Sequence, residues 1–508
     1  MSTGEAVSTG GAVGTELFWE RVHPVTPVVK GWKVVAVLFV VAGQQVGAQS
    51  GGTEEIVRRV GPLGVLGVIA VAALIGFIAA GLAWRMTRFA LGDEALFLHT
   101  GVLFRQQRSA RLDRIQAIDV VQPLLARLFG LAELRVEVAG GADSAVRLAF
   151  LREPEAQQLR NEILARAAGV RVLRQGGQSA VEGDLTSANG AELDGALHPL
   201  PGVTPTPTLT PALTPAAPER EVFVLAPGRL VASLVRSGAV LAALVGVLVV
   251  IAVMVATREL AAAIGVFPVA AASVGYLWQR FAGEFGFRAA TSPDGIRLRH
   301  GLLETRAQTV PPGRVQAVEL TQPLLWRGPD WWRVQINVAG YGAQDGSTES
   351  VLMPVGDRDE ALRALWLVLP DLDAADPRAL LDLALSGDGP QGGFVTSPPS
   401  ARWLDPLAWR RTGYAVTGRA VLVRRGRLVR RLVVVPHERT QSIGLNQGPL
   451  QRRLGLATAA LHSTPGPVTP LVPHLTSADA GALLAEQAVR ARAARSLAGP
   501  ERWMVTPS

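Results

Sequence analysis

The feature that most constrains this chain is that it repeats itself. Residues 101–140 (GVLFRQQRSARLDRIQAIDVVQPLLARLFGLAELRVEVAG) align without a gap on residues 301–340 (GLLETRAQTVPPGRVQAVELTQPLLWRGPDWWRVQINVAG). Shared positions include Gly101/Gly301, Arg114/Arg314, Gln116/Gln316, Gln122/Gln322, Pro123/Pro323 and Arg127/Arg327, and both stretches close on Val-Ala-Gly. A third copy starts at Gly426, where Arg439, Gln441, Gln447 and Arg452 fall 13, 15, 21 and 26 residues after the glycine, as in the other two. A tryptophan precedes each copy: Trp84, Trp278 and Trp409. A frame of Gly, Arg-x-Gln, Gln and Arg occurring three times means one supersecondary unit used three times.

Each unit reads as α+β. Short apolar or alternating runs at Ala95–Leu98, Ile296–Leu298 and Val421–Val423 predict a strand before the glycine. In the first copy, further strands are expected around Leu103–Ala110, Ile115–Val121, Leu134–Ala139 and Val146–Phe150. A helix then follows, with Pro154 in its first turn and Leu159, Ile163 and Leu164 as its apolar stripe. The matching helices are expected at Ala361–Val368 and Ala478–Arg490. Antiparallel strands closed by one C-terminal helix predict a small β-barrel or a two-sheet module.

Between the units lie stretches built for lipid. Val60–Trp84 runs 25 residues without a charge, Ser237–Ala256 runs 20 and Leu260–Trp278 runs 19. About 20 apolar residues cross a bilayer. Val34–Ala48 is a shorter, weaker span, needed to keep the N-terminus and the first unit on one side. Trp32, Trp84, Tyr276 and Trp278 sit at span ends, and Lys30, Lys33, Arg85, Arg88, Arg229, Arg236, Arg280 and Arg288 flank the outer ends. The positive-inside rule then predicts a multi-pass plasma-membrane protein with every module in the cytoplasm. Mean hydropathy of +0.26 and 48% hydrophobic residues fit a mixture of spans and soluble modules.

These signals divide the chain. Residues 1–31 read as a disordered tail, 32–84 as a first transmembrane hairpin, 85–170 as module 1 and 171–221 as a Pro/Thr-rich linker. A second hairpin is expected over 222–280, module 2 over 281–370, a linker with a short helix over 371–400, module 3 over 401–495 and a tail over 496–508. Flexible linkers of this composition would let the copies move independently.

The span pairs ahead of a soluble unit, with the leading glycine, Arg-x-Gln and Gln-(Pro)-Leu-x-x-Arg, resemble the bacterial pleckstrin-homology-like, membrane-flanked domain proteins of the YdbT type. The resemblance covers most of the chain outside the linkers. It implies PH-like modules, a membrane location and no assigned enzymatic reaction. The third copy departs from it: no spans directly precede it, and Gly448-Pro449 replaces Pro-Leu.

Candidate chemistry is sparse. The chain has no cysteine, seven histidines without metal-ligand spacing, and no nucleophile elbow, phosphate loop or zinc motif. No cofactor is expected. Two readings of the repeated frame stand side by side. Arg114, Arg314 and Arg439 could grip an anion or lipid headgroup, or Gln116, Gln316 and Gln441 could bond loop backbone while the arginines pair with carboxylates. Gln122, Arg127, Gln322, Arg327, Gln447 and Arg452 complete the frame. The segment after the proline mixes large apolar residues and arginine (Phe129, Trp326, Trp331, Trp332, Arg453), which suits either a bilayer-surface contact or a plug on the module. Residues 401–455 hold twelve arginines against Asp405 and Glu438. With Arg430 and Arg431 among them, that excess suits anionic lipid; nucleic acid is disfavoured by the few aromatics. The expected function is a membrane scaffold engaging headgroups, peptides or other modules, with self-association open. The alternative is an accessory component of a transport or export system.

Overall fold

The structure is a computed structural model that describes residues 19–21, scattered positions between 67 and 85, and 86–92, 94–101, 106–138, 146–164, 166, 220–258, 267–292, 295–310, 313–339 and 350–497. The candidate span Val34–Ala48, nearly all of the 171–221 linker and most of both tails lie outside the described residues.

The described strands form four sheets. The first holds β1 (Glu20–Arg21), β2 (Arg88–Leu91), β3 (Ala95–Thr100) and β4 (Gln106–Arg111) in sequence order. The second is seven-stranded. It joins β5 (Ile115–Pro123), β6 (Leu131–Val138) and β7 (Val146–Arg152) of module 1 to β8 (Arg220–Val224), β9 (Arg288–Ser292), β10 (Gly295–His300) and β11 (Glu304–Val310) of module 2, in the order β7-β6-β5-β11-β10-β9-β8. The third, also seven-stranded, has the same plan one module on. Its members are β12 (Val315–Pro323), β13 (Trp332–Val338), β14 (Val351–Gly356), β15 (Val395–Thr396), β16 (Gly413–Val416), β17 (Ala420–Arg425) and β18 (Val429–Pro436), in the order β14-β13-β12-β18-β17-β16-β15. The last is β19 (Ser442–Asn446), β20 (Leu456–His462) and β21 (Leu471–Thr476).

Each module is therefore a two-sheet sandwich, not a closed barrel, and it shares its sheets with its neighbours. Module 2 packs Ile296, Leu298 and Val310 of one seven-stranded sheet against Leu320, Val334 and Ile336 of the next. The sharing explains the unbroken apolar run in β18. Val433 and Val435 face the module 3 core, while Leu432 and Val434 face the cluster that holds Leu381 and Leu385. A strand covered on both faces has no polar side to display.

The leading glycine of every copy closes a hairpin. Gly101, Gly301 and Gly426 have φ of 108°, 112° and 76°, a region open to glycine and strained for other residues. A Cβ on Gly301 would run into the Glu304 carbonyl oxygen, and one on Gly426 into that of Val429.

Helices finish each unit. They are α1 (Leu124–Leu128), α2 (153–164), α3 (Pro227–Val235), α4 (Gly238–Thr257), α5 (Phe267–Glu284), α6 (Arg358–Val368), α7 (Pro377–Ser386), α8 (Pro449–Arg453) and α9 (Ser477–Leu497). An Asp357/Glu360 capping box starts α6 three residues ahead of the expected Ala361. α7 is the short helix expected within 371–400. That stretch is no flexible linker, because Leu372, Leu381, Leu385 and Phe394 are buried in the core.

Among the described residues, α4 is the helix long and apolar enough to cross a membrane, and its span is unburied. α5 packs beside it. It runs six residues past Trp278 and ends on Glu284, which is 1% exposed. There Glu284 accepts from Arg333 Nη1 of β13 at 2.5 Å and from Arg280 Nε at 3.3 Å. A buried carboxylate held by two guanidiniums fixes the end of the helix to the sandwich.

Candidate functional site

Of the expected site residues, Gln122, Gln322, Arg327, Arg430 and Arg431 lie where one module meets the next. At the first junction β5 pairs antiparallel with β11: Pro123 opposite Glu304, Gln122 opposite Thr305, Val121 opposite Arg306 and Val120 opposite Ala307. Arg160 of α2 reaches across to the Thr309 hydroxyl. At the second junction β12 pairs with β18 over six positions, from Pro323 opposite Val429 to Val318 opposite Val434. In both, the residue 22 positions after one leading glycine faces the residue 3 positions after the next. Register fixes which side chains meet, so the two junctions are one interaction made twice.

Side chains reinforce the second junction. Gln322, 0% exposed, donates from Nε2 to Asp330 Oδ1 at 2.7 Å and accepts from Arg430 Nη1 at 3.2 Å. Asp330 also accepts from Trp332 Nε1 at 3.0 Å and from Arg358 Nε at 2.9 Å. Burial alone would raise its pKa, but the hydrogen bonds from Arg358, Gln322 and Trp332 prevail and hold it below the usual carboxylate value. Asp330 has φ of 53°, and Gly130 and Gly455 at the same repeat position have 63° and 67°. Aspartate tolerates this left-handed geometry better than most residues, and here it adds a carboxylate where its counterparts have only backbone. Buried Glu319 pairs with Arg431 at 3.2 Å, and Arg327 donates to the Arg427 carbonyl. Asn337, 1% exposed, clamps a loop of module 3: Nδ2 donates to Val468 O at 2.8 Å, and Oδ1 accepts from Val468 N at 2.9 Å.

The helical pair reaches this junction. An open cleft of about 780 Å³ is lined by Ser237, Ala272, Tyr276 and Arg280 on the helical side and by Pro323 and Val429 of the paired strands.

The family model described as bacterial PH domain matches residues 37–167, 231–369 and 392–490. The chain belongs to the bacterial PH domain family. The first two matches include candidate spans, whereas the third begins next to β15. A curated relative, the UPF0699 transmembrane protein YdbT of Bacillus subtilis (strain 168), is 28% identical over 107 residues, which is 21% of this chain and 20% of that protein. The chain thus matches about one fifth of the relative's length. No solved structure matches.

The remaining expected site residues fall at several places on the PH modules. Gln316 is buried and donates to the Arg314 carbonyl at 3.4 Å, a backbone contact within the turn. Arg114 and Arg439 end short helical turns, Leu112–Arg114 and His437–Arg439. Gln441 is exposed, and its backbone N–H donates to His462. Nothing is described of the Gln116 side chain. Gln447 donates to Leu456 O at 2.8 Å and to Ser477 Oγ at 3.2 Å. Arg127 and Arg452 are exposed on α1 and α8. The surface assignment is corrected for two tryptophans: Trp326 and Trp332 are 1% and 0% exposed, because their indole N–H groups are satisfied internally by Ser233 O and Asp330. Trp331 is half-buried beneath Arg236. Phe129 and Arg453 are exposed.

Much of module 3's basic excess is structural. Arg411 Nη2 donates to Ala384 O at 2.9 Å and Leu385 O at 2.7 Å, at the C-terminal end of α7. A cation there meets the negative end of the helix dipole. Arg424, 0% exposed, bonds Arg411 O and Leu383 O and lies 3.9 Å over the Phe394 ring. Burial pushes Arg411 down to about 9 and Arg424 to about 10. Glu284 and Asn337 fall on no repeated position, whereas Glu319 has an acidic counterpart in Asp119 that the repeat comparison could have found.

Proposed function

We propose that this chain is a non-enzymatic, multi-pass membrane scaffold whose three PH modules bind one another through their sheet edges and form one elongated β-structure on the cytoplasmic face. The observation that carries this reading is the pair of seven-stranded sheets, each crossing a module boundary in the same register. Strand addition at an edge is a general binding mode in which backbone hydrogen bonds supply affinity and alternate side chains supply selectivity. α4 supplies one span, and Val60–Trp84 and Leu260–Trp278 supply others. The buried Glu284 cluster transmits the position of the second helical pair to module 2.

The test is cleavage without loss of association. A protease site introduced into the exposed turn at 387–391, cut in the detergent-solubilised full chain, should leave the C-terminal fragment co-eluting with the rest on gel filtration. Elution as two separate species would remove the reading.

A second reading rests on the turn after the paired strand. Leu124, Leu128, Phe129, Leu324, Leu325 and Leu450 are exposed beside Arg127, Arg452 and Arg453. Apolar side chains flanked by arginine suit the bilayer interface, so these turns rest on the membrane surface. Replacing Leu450, Arg452 and Arg453 with serine in the full-length chain, reconstituted in phosphatidylglycerol nanodiscs, should speed hydrogen exchange over 449–453, and unchanged exchange would remove this reading.

A further inference from the structure

The junction used twice inside the chain leaves one half of itself at each end. β5 and β12 are covered by β11 and β18, but their counterpart in module 3, β19, ends its sheet. β11 and β18 are covered in turn, but their counterpart in module 1, β4, ends the first sheet. Among the described residues no strand lies on the outer edge of either. Ser442, Leu445 and Asn446 are exposed, as are Gln106 to Ser109. Neither strand contains a proline, and uncovered edges without such blocks are templates for another strand.

We propose that the chain assembles head to tail, β19 of one copy adding to β4 of the next in the register of the internal junctions. This rests on the scaffold reading above and extends it from modules in one chain to modules in two. The occupant is a second copy of this chain because both halves of the joint are present on it and, among the described strands, each is unpaired on that edge. The register is fixed by the repeat. In the internal junctions the positions in each pair, counted from their own leading glycines, are 20 and 5 for Thr321 opposite Arg431, and 21 and 4 for Gln322 opposite Arg430. At the free ends, positions 20 and 5 are Asn446 and Gln106. The pairing is heterologous, so it closes into a ring if its rotation allows and otherwise extends as a filament.

The absence of native cysteine makes the test clean. Two full-length variants, Asn446→Cys and Gln106→Cys, are mixed in nanodisc-free detergent solution and treated with a short thiol cross-linker. The proposal expects the mixed dimer to exceed either homodimer at least tenfold, and the double variant to give a ladder. Asn446→Cys mixed with Arg108→Cys, two residues out of register, should give several-fold less. Mixed adduct no stronger than the out-of-register control, or Asn446→Cys homodimer predominating, would overturn it. Thr321→Cys with Arg431→Cys in one chain reports on the internal joint. If that pair cross-links within the chain and the mixed pair does not, head-to-tail assembly fails while the scaffold reading stands. If neither forms, both fail.

Discussion

The two internal junctions share a backbone register and differ in length and in the side-chain contacts described across them. The first aligns four residue pairs, and its described reinforcement from another element is Arg160 on Thr309. The second aligns six, buries Gln322 and Glu319, and adds the Asn337 clamp from a neighbouring strand. Identical register with different side chains shows that the hairpin glycine and the strand edge define the joint, while the side chains set its strength. Module 3, which has no span pair directly ahead of it in sequence, has the longer strand pairing.

That comparison can be broken most forcefully at the turns. Gly426→Ala places a Cβ against the Val429 carbonyl in a left-handed turn, and it should cost about 3 kcal/mol or more. The loss should appear as opening of the second junction. Gly301→Ala should open the first in the same way. Hydrogen exchange of β18 and β11 separates the two. Equal loss of both junctions from either substitution would contradict their independence.

Asn337→Ala comes next. It leaves the Val468 N–H and carbonyl without their buried partner, a loss of about 2–3 kcal/mol that chemical denaturation of full-length protein should resolve. Its repeat counterpart in module 1 is Glu137, a carboxylate in place of the amide. Gln322→Ala should cost about 1–2 kcal/mol, because Asp330 and Arg430 lose a shared buried partner. Gln122→Ala, half-buried at the first junction, should cost less than about 1 kcal/mol. An equal effect of the two glutamine substitutions would mean that backbone pairing alone sets strength.

The smallest expected effect is a pH dependence in module 2. His300 is 3% exposed, lies 2.8 Å from the Gly283 carbonyl through Nδ1 and stacks on Phe287. Burial pushes its pKa below the ordinary 6.5, so the folded protein keeps the ring neutral. The unfolded chain takes up the proton first. Module 2 stability is therefore complete above pH 6.5 and declines as the pH falls below it. His300→Gln should flatten that decline in thermal melts between pH 7 and 5.

The sequence disclosed the units and concealed their arrangement. Three-fold recurrence, strand patterning and the Pro-led helix were legible because local periodicity encodes them. The leading glycine was visible, and its positive φ supplied the reason for its recurrence. The sharing of sheets was hidden because strand addition uses backbone groups that every residue carries. β18 came closest to revealing it, since its run of valines suits a strand buried on both faces. The 371–400 stretch looked like a tether because Gly, Pro and Ser dominate 386–400, yet Leu381, Leu385 and Phe394 supply enough apolar surface to dock it. Trp326 and Trp332 suggested a surface because arginine and proline surround them, but buried partners for both indole N–H groups were not readable from spacing.

The central claim is that module boundaries are crossed by paired strands. Hydrogen exchange of the full-length protein in nanodiscs tests it most directly. Backbone amides in 304–307 and 429–434 that face β5 and β12 should exchange as slowly as those in β10 and β17, the interior strands beside them. Exchange of those amides at the rate of an open sheet edge would contradict the account.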